Sequence, residues 1–169
     1  MPLAMQLTVT KTTADLNTCE RLLLRCFRQW TIGLMRSDPA ALEATWNELA
    51  SALGPGQARS ALDALSSLVF RLAGAARRTI LHHHPCCPRL TLDEGRLIDM
   101  VAACQHSRRT RAGRAAALLA GGGHVEAVLE SAEGLAEALL NSGRTLPDRG
   151  RASWAGASCF AQQERSTVH

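Results

Sequence analysis

The sequence contains no tyrosine and only three tryptophans and three phenylalanines. With so little aromatic mass to bury, the core must be aliphatic, and the abundant Leu and Ala are strong helix formers. Lysine is nearly missing as well: Lys11 is the single one, so every other basic side chain is arginine. No stretch approaches the ~20 apolar residues of a membrane-spanning helix, and a membrane role is not expected. Residues 1–13 lack both a basic leading segment and a continuous apolar run, so no secretory signal is expected either. Enzymatic motifs are also missing. Gly121-Gly122-Gly123 follows a helical segment and lacks the lysine of a phosphate-binding loop. No nucleophile elbow, zincin or paired-carboxylate motif appears. The expectation is a protein that is not an enzyme.

What is present describes a globular chain. Its 169 residues suffice for one domain, and 46% hydrophobic with 20% charged residues is the balance of a folded protein. A net charge of +4 and a pI near 9.0 are mildly basic, short of the dense positive face of a dedicated nucleic-acid binder. Six cysteines without a secretory signal point to free thiols in a reducing compartment, expected here to be a bacterial cytoplasm.

The periodicity is helical throughout, and nothing supports a sheet. Asn17 and Glu20 have capping-box spacing. Cys19, Leu22, Leu23, Cys26, Phe27, Trp30 and Leu34 then form one stripe, with Arg21, Arg25 and Arg28 expected on the opposite side. Asp38 is a cap and Pro39 suits the first position of a second helix, which Gly54-Pro55-Gly56 ends. A third, the longest, is read over 57–81, placing Arg77 and Arg78 in its last turns, where cations favour the helix dipole. Thr91 and Glu94 form another capping box, and Asp93-Glu94 is read as capping alone. That fourth helix carries Leu97, Met100, Val101 and Cys104 inward. A basic segment 107–114, a short fifth helix over 115–120 and a sixth over 125–140 follow. The reading is an all-α, single-domain bundle of five to six helices: a flexible segment 1–14, a helical domain 15–143 and a disordered tail 144–169.

Two places can carry chemistry. His82-His83-His84-Pro85-Cys86-Cys87-Pro88 gathers three of the six histidines and two of the six cysteines. Imidazole and thiolate are common zinc ligands, and a closed site needs four. His82, His84, Cys86 and Cys87 are the candidate metal ligands, with zinc the first choice of cofactor. There is no C-x-x-C spacing. Cys104 and His106 cannot readily complete the set, because the fourth helix begins at the loop and carries them some ~20 Å away. Two loops from two chains avoid that distance. Flanking Arg77, Arg78 and Arg89 favour thiolates, so a redox-sensitive loop is a second reading. The bland reading is a rigid proline-set connector.

The other place is the strip Arg108, Arg109, Arg111 and Arg114, a candidate nucleic-acid contact. Residues 92–120 lack the short glycine-containing turn of a helix-turn-helix, and no aromatic residue interleaves with the arginines to stack bases. The functional expectation is a small cytoplasmic regulatory or accessory protein acting through protein–protein contacts, with a protein partner or self-association. A nucleic-acid-binding regulator is the alternative.

Overall fold

The computed structural model describes residues 11–149, and everything below concerns those residues. They form α1 (Thr18–Arg36), α2 (Pro39–Leu53), α3 (Pro55–Ala75), α4 (Leu92–Gln105), α5 (Arg109–Ala120) and α6 (Val125–Asn141), preceded by a 3-10 turn at Thr13–Asp15. The architecture is the all-α bundle expected, with six α-helices among the described residues. No helix is long and apolar enough to cross a membrane.

Local chemistry sets the helix starts. Asn17 accepts from the Glu20 amide at 2.8 Å while the Glu20 carboxylate accepts from the Asn17 amide, also at 2.8 Å. Asp38 caps α2 through the Ala40 and Ala41 amides, with Pro39 at its first position. Thr91 and Glu94 close the same reciprocal box at the head of α4. Each box satisfies backbone donors that the first turn leaves unpaired.

Packing then sorts the helices. α1 packs on α2, α2 on α3 and α3 on α6, while α4 contacts α1, α5 and α6. α4 is the central element: Asp93, Glu94, Gly95 and every residue from Leu97 to Ala103 are buried. The core around it is Leu and Ala, with Phe27 the one buried aromatic ring and Trp30 and Trp46 packed partly buried against it. Gly33 marks where α1 lets the start of α2 approach. A Cβ there would lie 2.5 Å from Leu42 Cδ2 and 2.8 Å from its Cγ.

The structure corrects several boundaries. α3 stops at Ala75, so Arg77 and Arg78 lie in an extended connector and not in a helical last turn. Ala76 takes an extended conformation, and the Arg77 amide donates to Ala120 O across the fold. Tertiary partners there replace the hydrogen bonds another helical turn would supply. α5 starts at Arg109, well before residue 115. Basic residues at a helix N-terminus oppose its dipole, and carboxylates from elsewhere in the chain offset them. Arg28 is not on a solvent face; it is 1% exposed.

Both ends of the described chain are tied down. The Thr13 amide donates to Pro88 O (2.7 Å) and the Leu90 amide to Lys11 O (3.3 Å), around a lone bridge of Thr12 with Arg89. The flexible segment expected over 1–14 is thus packed from Lys11 on, and residues 1–10 lie outside the described residues. The helical domain likewise runs past 143. Leu146 is fully buried, its amide donating to Gln105 Oε1 at 2.7 Å. Arg149 clasps the Glu20 carboxylate at 2.8 and 2.9 Å. The remainder of the expected tail, 150–169, lies outside the described residues.

Candidate functional site

The connector between α3 and α4 takes its shape from one buried ion pair. Arg28 Nε and Nη2 donate to Glu94 Oε1 and Oε2 at 2.7 and 2.8 Å, with the side chains 1% and 0% exposed. The same guanidinium donates to the Cys87 carbonyl (2.8 Å), the Arg89 carbonyl (2.7 Å) and, more weakly, the His84 carbonyl (3.4 Å). Glu94 in turn accepts the His83 and Thr91 amides at 2.8 and 2.9 Å. Thr91 Oγ1 donates to Leu81 O at 2.7 Å. An arginine can serve this many acceptors because its planar fork carries five donors. A run with no helix or strand to pair its backbone is therefore pinned along its length.

Asp93 holds the other end. Its oxygens accept from Arg78 Nη1 and Nη2 at 2.6 and 2.7 Å, from Arg96 at 2.9 Å and from the Leu81 amide at 2.9 Å. Burial pushes this carboxyl up, but the Arg78 and Leu81 hydrogen bonds outweigh it and hold Asp93 below the usual carboxylate range. Asp93-Glu94 is thus more than a cap, and the two carboxylates form the anchorage of the loop. The sequence signal was weak: one of four arginines on α1 gives no sign of a partner 66 positions away.

The candidate ligands separate within this frame. His82 turns inward, its ring edge-on to Phe27 with centroids 6.2 Å apart. His83 Nε2 is buried without a partner, and desolvation holds its imidazole pKa below the ordinary value despite the nearby Glu94. His84 and Cys86 are exposed and meet, Nδ1 to Sγ at 3.0 Å. Cys87 is half-buried, with its amide bonded to His84 O at 2.9 Å. Of His82, His84, Cys86 and Cys87, only His84 and Cys86 are brought together. No group of three or more potential ligands forms among the described residues. His106, at the far end of α4, bonds Leu146 O at 2.8 Å. The thiols of Cys19 and Cys104 are pushed up by burial to about 11 and about 12, and that of Cys26 higher still, so these three are core thiols.

Beside the loop lies an apolar groove of about 760 Å³ between α1 and α3, floored by the connector. Leu34, Met35 and Phe70 open into it at 44%, 74% and 77% exposure, over Phe27, Val69 and Ile80. Arg77 and Arg78 line its edge. A smaller hollow of about 190 Å³, lined by Ile32, Arg36 and His84 among others, adjoins it through Met35 and His82. Neither lining contains a carboxylate. Sequence reasoning missed this surface, although Met35 and Phe70 stand outside the buried stripes of their helices, and apolar residues off the stripe are the available signal.

The arginine strip is largely neutralised. Arg111 donates to Asp99 at 2.7 Å and also pairs with Asp148; Arg109 pairs with Glu126 and Glu133. Arg108 lies 3.6 Å from Asp148. Arg114 alone of the four has no ion pair among the described residues. The connection from α4 to α5 is, contrary to expectation, a short one: residues 106–108, with Ser107 at φ 55° in the left-handed position that glycine usually fills.

No family model, curated protein or solved structure matches this chain.

Proposed function

We propose that this chain is a small bacterial cytoplasmic accessory or regulatory protein that works by binding a protein partner in the α1–α3 groove. The observation that carries the reading is the groove itself. Met35 and Phe70 are about three-quarters exposed on one concave surface, edged by arginine and free of carboxylates (74% and 77%). Apolar side chains left in water at this density mark an interaction site. The occupant best suited to such a surface is an amphipathic helix that lays apolar residues into the groove and sets Asp or Glu against Arg77 and Arg36. A second copy would bring its own arginines to the same place, so self-association through the groove is opposed by charge. The reading is of a binding protein, not an enzyme.

The nucleic-acid alternative has less support, because three of its four arginines are held by carboxylates. The test uses synthetic amphipathic helical peptides flanked by Glu or by Lys, titrated by fluorescence anisotropy. The Glu-flanked peptide is expected to bind and the Lys-flanked one not. Phe70→Glu should abolish binding, and Arg77→Glu should transfer preference to the Lys-flanked peptide. Equal binding of both peptides, or binding indifferent to Phe70→Glu, overturns the reading.

A further inference from the structure

The exposed turn carrying His84 and Cys86 has the form of half a metal site. A closed zinc site takes four nitrogen or sulfur ligands in a tetrahedron. With Zn–N near 2.05 Å and Zn–S near 2.3 Å, tetrahedral geometry sets neighbouring N and S donors ~3.6 Å apart. His84 Nδ1 and Cys86 Sγ stand at 3.0 Å, so an opening of about 0.6 Å admits the ion. The turn that bears them is held in advance. The Cys87 amide closes it onto His84 O at 2.9 Å, and the buried Arg28 grips Cys87 O at 2.8 Å. The donors are therefore pre-positioned on a fixed backbone and both face solvent.

The other two ligands cannot come from the same loop. His82 is turned onto Phe27, Cys87 is half-buried, and no third ligand joins the pair among the described residues. We propose that His84 and Cys86 from two copies of this chain together bind one thiophilic divalent cation, zinc by preference, as an N2S2 centre on a two-fold axis. A two-fold contact places the same patch of each subunit against itself, which converts two donors into four. Two thiolates also neutralise the dication, the arrangement soft and borderline metals favour. Apart from the ion, the contact is one exposed turn, far below the ~1,200 Å² of a stable interface, so the dimer depends on metal. This centre uses the exposed turn beside the groove and neither Met35 nor Phe70, so it does not rest on the partner reading proposed above.

The experiment is zinc titration of the full chain in reduced form. Mass is followed by light scattering, stoichiometry by elemental analysis, and ligand type by the visible spectrum of the cobalt-substituted protein. The expected result is a monomer without metal and a dimer with one zinc per two chains, reversed by chelator, with cobalt showing tetrahedral thiolate bands. His84→Ala and Cys86→Ser should each abolish dimer and spectrum while leaving the circular-dichroism melt unchanged. His82→Ala, Cys87→Ser and Cys159→Ser should retain both. Zinc bound to a monomer, no zinc bound, or loss of the dimer with Cys87→Ser or Cys159→Ser overturns the proposal. Phe70→Glu should leave the zinc dimer intact, which separates the failure of one reading from failure of the other.

Discussion

Replacing Arg28 with methionine tests the account of the connector directly. The substitution keeps much of the aliphatic volume and deletes the guanidinium. Glu94, 0% exposed, is then left with only the His83 and Thr91 amides as partners, while the carbonyls of His84, Cys87 and Arg89 lose their donor. Removing one member of a buried pair costs about 3–5 kcal/mol, because the other charge stays desolvated. Against a total stability of about 5–15 kcal/mol, that is a large fraction. At roughly 2–4 °C per kcal/mol for a chain of this size, a loss of about 4 kcal/mol lowers Tm by roughly 8–16 °C. Urea unfolding followed by circular dichroism measures the loss, and Glu94→Met should match it. The double variant should be more stable than the sum of the single losses implies, by about 2 kcal/mol or more, since the pair is deleted together. It should still fall below wild type, because an apolar pair cannot serve three loop carbonyls. Amide exchange should rise over 81–90 in Arg28→Met and stay unchanged in α6. An Arg28→Met loss below about 1 kcal/mol, or strictly additive single losses, would refute the claim that this pair anchors the loop.

Four further outcomes are expected. Gly33→Ala should destabilise by up to about 2 kcal/mol in a thermal melt: the new methyl meets Leu42 within 2.8 Å, an overpacking cost of about 1–3 kcal/mol of which helix propensity returns ~1 kcal/mol. Asp93 has a folded pKa held below its unfolded value of about 3.9. Its contribution is therefore present above about pH 4 and lost as pH falls through the folded value. Asp93→Asn should be less stable than wild type at neutral pH, with the gap in acid-titrated urea melts narrowing below about pH 4. Arg111→Gln should cost about 1–3 kcal/mol by stranding Asp99 at 7% exposure. Neutralising Arg108, Arg109 and Arg111 together should leave DNA association, measured across a salt series, as weak as in wild type.

Much of the helical framework is legible locally. Asn17 with Glu20, Asp38 with Pro39, and Thr91 with Glu94 start their helices where the spacing says, because a cap acts over three residues and needs no tertiary information. Periodicity likewise assigned Leu22 and Leu97 to the core. It failed where the competing partner is distant. The end of α3 was read too late because Ala76 to Leu81 contains no breaker, and what ends the helix is Ala120 O and Asp93. Arg28 was read as solvent-facing because charge normally is, and only a carboxylate 66 residues away makes its burial tolerable. The arginine strip looked available because Asp99, Glu126, Glu133 and Asp148 come from other parts of the chain.

Local sequence is enough for an all-α bundle with an aliphatic core, and for placing the densest ligand chemistry between the third and fourth helices. Those properties follow from short-range geometry: helical spacing, caps and composition. Tertiary structure alone decided that His84 and Cys86 face solvent together while His82 turns inward. It also decided that Met35 and Phe70 share one open groove. The reason is that a loop without secondary structure takes its conformation from whatever satisfies its backbone, and here that is Arg28 and Glu94, brought together only when α1 and α4 pack.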